Sequence, residues 1–227
     1  MKILCLANDY PSTGHSIRAA NIVIYELLKS LAEQTGVSVS SLTIKRCNES
    51  IDEIGRLDSQ TALKNINVEV LDEIRLPKIN EKRSKFIRLI NSRPSDFYPE
   101  IIHKDIIEKV IKNCSPDIIF IPWSEWLTAV CAEINIKKFA YYGNPDHKTR
   151  FWRLNFDKKN NINKFSDISI SIYLWLLEFH HLRLIKKYDY LGNVAFNDAL
   201  YYERKGHKNS FYIQNVWIDR IGDDWKV

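Results

Sequence analysis

The chain begins with an apolar run of strand length, a turn and an amphipathic helix in immediate succession. Residues 3–7 are apolar, residues 8–15 are rich in turn formers, and apolar residues recur at helical spacing from residue 17. Ser16 is a suitable N-cap, because its hydroxyl can accept a hydrogen bond from a first-turn amide. Free amides at the start of such a helix attract phosphate or carboxylate. The pattern predicts the ligand-binding edge of an α/β sheet, although the G-x-G-x-x-G fingerprint and the P-loop Gly-Lys-Ser/Thr are both absent.

Strand-like runs alternate with helical patterns along the rest of the chain. Predicted strands occupy residues 37–44, 68–71, 118–121, 138–142, 193–196 and 211–213, and predicted helices occupy residues 100–113, 125–134, 167–187 and 197–204. Residues 45–65 are expected to form a loop with room for a short helix, and residues 148–166 are basic and aromatic without periodicity. The alternation predicts an α/β fold with a doubly wound, mainly parallel Rossmann-like sheet and helices on both faces.

Composition and charge indicate the cellular compartment in which the chain works. The 227 residues carry a formal net charge of +5, which suits anionic partners. Four cysteines without a C-x-x-C pair favour free thiols in a reducing cytoplasm. The N-terminus has no apolar stretch of signal-peptide length, and no run reaches the roughly 20 apolar residues of a membrane span. We therefore expect a cytoplasmic protein, and peripheral contact with the inner face of the membrane stays open.

Several short motifs occur in an order that resembles one enzyme family. They are Pro11 with Thr13-Gly14 in the opening turn, Ser115-Pro116-Asp117 before the strand at 118–121, and the closing residues Glu178, Asp189-Tyr190, Asn197-Asp198, Gly206 and Tyr212-Ile213-Gln214-Asn215-Val216-Trp217-Ile218-Asp219. Together they resemble the N-terminal, acceptor-side half of retaining, family-4-like GT-B glycosyltransferases. The resemblance covers nearly the whole chain and depends on the order and spacing of the motifs.

This resemblance implies a fold, a function and a division of the chain. Residues 1–215 would form the acceptor-binding domain, one half of a GT-B fold, and residues 216–227 would start a linker toward a C-terminal donor-binding domain. The intact enzyme would be a retaining hexosyltransferase that uses a nucleotide sugar as co-substrate and needs no metal or other cofactor. Its acceptor would be a glycan or lipid-linked molecule in cell-surface polysaccharide synthesis, and the 227 residues alone would be inactive. Two departures from the family pattern are Trp217 after Val216 and Gly143-Asn144 where many relatives have a histidine.

Two polar turns at predicted strand ends supply the candidate site residues. The first contributes the substrate-binding candidates Thr13, Gly14, His15 and Arg18. Their backbone amides and the arginine could contact a donor phosphate or the acceptor, but a tight turn that needs glycine and a solvated arginine explain them equally well.

The second turn contributes His147, the catalytic candidate, with Asn144, Asp146 and Arg150 as substrate-binding candidates. A carboxylate and an imidazole at a strand end could position an acceptor hydroxyl and accept its proton. The alternative is an Asn-Pro-Asp turn with polar surface residues.

Two basic segments and one glutamate–histidine pair suggest other partners. Arg83, Lys85 and Arg88, interleaved with apolar residues, could lie on an anionic membrane surface, or they could form a solvated charged face. Residues 148–159 are also basic and aromatic, yet no nucleic-acid-binding motif accompanies them, so we do not expect nucleic acid as a partner. The pair Glu178-x-x-His181 has the spacing of half a metal site, but without a second copy we predict no metal centre.

A second function stays open at this stage. The chain could be a stand-alone, non-catalytic α/β binding module, or the membrane-anchoring subunit of a split glycosyltransferase whose donor-binding domain acts in trans. The binding module would take an anionic ligand or a partner subunit.

Overall fold

A computed structural model describes residues 1–12, 19–50, 52–79, 92–142, 145–159 and 167–213. The strands are β1 (Lys2–Ala7), β2 (Ser38–Lys45), β3 (Glu69–Val70), β4 (Ile74–Arg75), β5 (Ile118–Pro122), β6 (Lys137–Tyr142), β7 (Tyr190–Asn193) and β8 (Ser210–Tyr212). The helices are α1 (Ala19–Ala32), α2 (Glu53–Lys64), α3 (Pro94–Phe97), α4 (Lys104–Cys114), α5 (Glu125–Cys131), α6 (Asp146–Lys159), α7 (Asp167–Ile185) and α8 (Phe196–Arg204), with a 3₁₀ helix at Pro99–His103.

The strands form one sheet, and every described pairing in it is parallel. Its order is β3-β2-β1-β5-β6-β7-β8, and β4 also pairs with β2. The chain therefore builds outward from β1 on one side, then crosses to the other side of β1 with β5. Open α/β sheets bind ligands beyond the carboxyl ends of the strands at such a switch point. The predicted parallel α/β sheet is confirmed.

Successive residues of β1 belong to two different cores, because neighbouring side chains in a strand point to opposite faces. Leu4 and Leu6 join the core that α4, α5, α7 and α8 cover. Ile3 and Cys5 join the core that α1 and α2 cover. A strand buried on both faces reads as a continuous apolar run, which is how residues 3–7 appear in the sequence. Helices on both faces confirm the doubly wound arrangement.

One segment for which the sequence predicted no element is helical. Residues 146–159 form α6, although their sequence shows no apolar periodicity. Leu154 and His147 on one side of this helix are buried, whereas Trp152 and Phe156 on the other side are exposed. Apolar residues thus occupy both sides, which hides the helical period.

Two other boundaries differ from the sequence-based prediction. The strand expected at residues 193–196 lies earlier, at Tyr190–Asn193, where it pairs with β6. Gly192 fits this position because a Cβ there would lie 2.6 Å from Cδ1 of Ile213 and 3.0 Å from the Tyr141 ring. The helix expected from residue 100 begins at Lys104, after the 3₁₀ helix that begins at Pro99.

α7 is apolar on both sides and is 19 residues long. Leu174 and Leu177 point into the core, while Trp175 and Phe179 are exposed. Among the residues that the structure describes, neither this helix nor any other has the length and apolarity needed to cross a bilayer.

Candidate active site at the carboxyl edge of the sheet

A cleft of about 570 Å³ lies at the carboxyl edge of the sheet, beside the switch point between β1 and β5. Four neighbouring strands contribute the residues that end or directly follow them: Asn8 after β1, Arg46 after β2, residues 123–125 after β5 and Tyr142 at the end of β6. Residues 96–100 and the helices α6 and α7 supply the remaining walls. Its volume is typical of small-molecule sites.

Trp123 turns the chain sharply at the edge of this cleft. Its φ of 54° lies in the left-handed region, which costs a bulky residue about 1–2 kcal/mol. Its backbone N–H donates to the backbone carbonyl of Tyr141 at 2.7 Å. Its ring meets that of Tyr141 edge-on, with 6.2 Å between the ring centroids. Strained backbone of this kind concentrates at ligand sites, which supports placing the site here.

Charged side chains of both signs line the cleft. Arg46 forms an ion pair with Glu100 at 2.9 Å, and its guanidinium lies 4.9 Å from the centroid of the Trp126 ring. Arg150 and Glu125 lie on the same lining. Because both donors and acceptors line the opening, the cleft suits a hydroxyl-rich ligand better than an apolar one.

Glu125 connects the cleft to a buried polar cluster. Its Oε2 lies 3.5 Å from the Tyr98 hydroxyl and 4.0 Å from Nδ1 of His181. The Tyr98 hydroxyl is also 3.5 Å from that Nδ1, and Nε2 of His181 is 2.7 Å from the hydroxyl of Tyr202. Ser124 holds this region in place by capping α5, since its hydroxyl accepts from the amide of Leu127.

His147 lies beside this cluster and has its own set of partners. Its ring centroid is 5.2 Å from that of His181, and its Nε2 is 3.2 Å from the Tyr201 hydroxyl. Tyr201 donates to Oε1 of Glu178 at 2.6 Å, and Lys205 lies 3.1 Å from the same oxygen. Although burial opposes ionisation, these two hydrogen bonds lower the pKa of Glu178 and keep it charged. The arrangement holds the His147 ring in one orientation.

The two histidines and Glu125 form a group that could share a metal ion. A ring nitrogen of each histidine and a carboxylate oxygen of Glu125 lie within 4.8 Å of one another, and no second such group occurs in the described ranges. Tetrahedral zinc, with bonds of about 2.0–2.2 Å, holds its ligand atoms about 3.3–3.6 Å apart. Nδ1 of His181 and Oε2 of Glu125 are 4.0 Å apart, and tyrosine hydroxyls already contact both residues. The geometry fits a hydrogen-bonded network better than a metal centre, and a metal-free site stays a prediction.

Burial makes His181 a source of acid sensitivity. Desolvation, together with the nearby His147, lowers the pKa of His181 from 6.5 to about 3. The folded chain therefore keeps this ring neutral between pH 6.5 and 3, while the unfolded chain protonates it. Stability is expected to fall as the pH drops through this window, by about 1.4 kcal/mol per pH unit from this one group. Urea unfolding at pH 7, 6, 5 and 4 should show a shallower loss in His181→Gln than in the unchanged chain. Equal slopes in both proteins would contradict this account.

The structure places only some of the predicted site residues. His147 is 4% exposed and lies behind the cleft, whereas Arg150 lines it. The other predicted site residues lie outside the described part of the chain: Thr13, Gly14, His15, Arg18, Asn144, Arg83, Lys85, Arg88 and the side chain of Asp146. Their roles stay predictions, as does the catalytic role of His147.

Sequence reasoning missed Glu125 and Trp123, and it considered His181 only as half of a metal-site pattern with Glu178. Glu125 could have been found, since it belongs to the first polar residues after the buried run at 118–121. The Glu178-x-x-His181 spacing did not indicate this position, because only the packing of α7 brings His181 to Glu125 and His147.

No model of a known protein family matches the sequence, and no curated protein matches it. Among solved structures, the chain is similar to Glycyrrhiza uralensis UGT73P12 in complex with glycyrrhetinic acid 3-O-monoglucuronide. That match has 11% identity and a TM-score of 0.49, and it covers 94% of this chain and 48% of the other.

Two further solved structures are similar at the same level. A UDP-glucosyltransferase from Polygonum tinctorium, capable of glucosylating indoxyl, matches at 11% identity and a TM-score of 0.48, with 98% of this chain and 54% of the other covered. Medicago truncatula UGT71G1, complexed with UDP-glucose, matches at 11% identity and a TM-score of 0.43, with 90% and 47% covered. The chain thus spans about half the length of these structures.

Proposed function

We propose that the chain is the acceptor-side domain of a GT-B glycosyltransferase. In the intact enzyme a sugar would pass from a nucleotide sugar to a hydroxyl of a glycan or lipid-linked acceptor, in the synthesis of a cell-surface polysaccharide. The observation that carries this proposal is the polar cleft of about 570 Å³ at the switch point of a parallel sheet, with Glu125 facing it and His147 behind. The order and spacing of the sequence motifs add independent support.

The chemistry assigned to this domain is the handling of the acceptor hydroxyl. The acceptor oxygen forms a bond to the anomeric carbon of the sugar, and the bond from that carbon to the diphosphate oxygen breaks. The nucleoside diphosphate leaves with the bonding electrons, and the acceptor proton passes to a base. We assign that base to the pair of Glu125, which reaches the cleft, and His147, whose ring nitrogen lies within 4.8 Å of the Glu125 carboxylate. The resemblance implies retention of configuration at the anomeric carbon.

The donor half would be contributed by a second domain, in cis or in trans. The alternative function is a binding module or the anchoring subunit of a split glycosyltransferase. The two possibilities differ in what must be added before sugar transfer occurs.

Turnover of a panel of nucleotide sugars tests the proposal directly. We expect no transfer by the 227 residues alone, and transfer once any coding sequence downstream of Val227, or a separate donor-binding subunit, is supplied. Product NMR would establish whether configuration is retained. Transfer should continue in EDTA, because the site is predicted to be metal-free.

Two outcomes of the turnover experiment would contradict the proposal or one of its parts. If no donor is consumed with either addition, and the 227 residues still bind oligosaccharides specifically by calorimetry, the binding-module function replaces the proposal. Loss of transfer in EDTA, restored by zinc, would instead overturn the prediction of a metal-free site at Glu125, His147 and His181.

A further inference from the structure

The outward sides of α6 and α7 expose large apolar side chains. Trp152 is 76% exposed and Trp175 is 64% exposed. Three more residues on these sides are between 46% and 65% exposed. We call this set the outward aromatic face, and its members are Trp152, Phe156, Ile172, Trp175 and Phe179.

Helical spacing shows that this face is a regular feature of both helices. Trp152 and Phe156 are four residues apart on α6, and Leu154, on the opposite side, is buried. On α7, Ile172, Trp175 and Phe179 follow the i, i+3, i+7 spacing of one helical stripe.

The inward side of α7 is equally regular. Leu174, Leu177 and His181 are each no more than 4% exposed. The Trp175 and Phe179 rings stack with centroids 6.2 Å apart. Each helix therefore has a second apolar stripe that the core does not use.

The positive charge of the chain is concentrated in the same region. Residues 145–187 contain nine Lys or Arg and four Asp or Glu, whereas the rest of the chain contains 24 of each. The whole net charge of +5 thus belongs to the segment that contains α6 and α7. Arg153 and Arg183 are exposed on these helices, and Lys186 is exposed directly after α7.

We propose that the outward aromatic face docks the chain on an anionic lipid bilayer. Tryptophan and phenylalanine surrounded by Lys and Arg are the residues that interfacial helices use, the rings entering the headgroup boundary while the cations meet anionic lipid. Because no described helix is able to span a bilayer, the two helices would lie in the plane of the interface. Ile172 argues for lipid over nucleic acid, since an aliphatic side chain offers a base no stacking surface.

This surface differs from the basic patch predicted at Arg83, Lys85 and Arg88, which lies outside the described residues. It is also independent of sugar transfer: it uses none of the residues assigned to proton transfer. Failure of the docking experiment would therefore leave the proposed reaction untouched.

Flotation of the 227-residue chain with lipid vesicles tests the proposal. We expect binding to vesicles of equal parts phosphatidylcholine and phosphatidylglycerol, and weak binding to phosphatidylcholine alone. The double variant Trp152→Ala/Trp175→Ala should bind anionic vesicles about tenfold or more weakly, because two large apolar side chains no longer enter the interface. Arg183→Gln/Lys186→Gln should lose about fivefold per charge. The matched control is Phe196→Ala, which removes an aromatic ring that is 60% exposed on α8.

Several outcomes would overturn the proposal. They are absence of vesicle binding, equal binding to neutral and anionic vesicles, and a double tryptophan variant that binds like the unchanged chain.

Two further measurements would show that the outward aromatic face binds a different partner. If sedimentation shows a dimer that Trp152→Ala/Trp175→Ala dissociates, the occupant is a second copy. If the same variant loses salt-sensitive binding to polyuridylate, the occupant is nucleic acid. Circular dichroism should show unchanged folding in every variant, because the replaced side chains are exposed.

Discussion

His147→Ala is expected to lower the kcat of sugar transfer about 10²–10⁴-fold, the range of a lost acid–base group. The measurement is steady-state turnover in the catalytically competent form of the protein, with KM for the acceptor determined separately. The reason lies in the geometry of the site. The ring is held by the Tyr201 hydroxyl at 3.2 Å and lies next to Glu125, which opens onto the cleft. An alanine removes the proton acceptor and leaves Glu125 without its neighbour.

Two variants separate chemistry from folding in this experiment. His207→Ala is the matched control, because His207 is also buried, at 5% exposure, yet it precedes β8 and so lies at the amino edge of the sheet. It should change stability without a comparable loss of kcat. Glu125→Gln tests which member of the pair takes the proton. Normal turnover in His147→Ala together with a large loss in Glu125→Gln would transfer the role of base to Glu125.

Leu4→Ala is expected to lower the free energy of unfolding by about 3–5 kcal/mol, the cost of deleting a fully buried leucine side chain. Leu4 is 1% exposed in the centre of β1, the strand between β2 and β5. The cavity would open in the larger core, beneath the helices that carry Glu125 and His181. Urea unfolding followed by circular dichroism measures the effect.

The same substitution at an exposed site supplies the control. Leu57 on α2 is 57% exposed, so Leu57→Ala should change the free energy of unfolding by no more than about 0.5 kcal/mol. Comparable losses in the two variants would mean that β1 is not the buried centre of the sheet.

Strands buried on both faces were the most predictable part of the fold. The strand predicted from the apolar residues at the start of the chain begins at Lys2 and ends at Ala7, and the predicted strand at 118–121 extends by one residue to Pro122. Such strands are specified by local apolar runs, which need no knowledge of their partners. β4 has no comparable signal, because it consists of two residues and depends on pairing with β2.

The site was predictable only where its residues follow a strand directly. His147 was singled out because it follows the strand that ends at Tyr142, and the structure brings it to the buried cluster behind the cleft. His181 and Tyr201 lie within helices, at positions where the sequence offers only ordinary helical spacing. Their contacts with the cluster depend on how α7 and α8 pack, which no local pattern encodes.

The parallel pairing of β1 also means that its two partner strands are synthesised at different times. Ile3 pairs with Val39 on one side and with Ile118 on the other, partners that follow it by 36 and 115 residues. At about 5–20 residues per second, the first partner emerges from the ribosome after about 2–7 s and the second after about 6–23 s. For the interval between them, one side of β1 remains an open edge that other chains can pair with. The half-sheet of β1 and β2 is therefore exposed on one side for several seconds of synthesis, until β5 emerges.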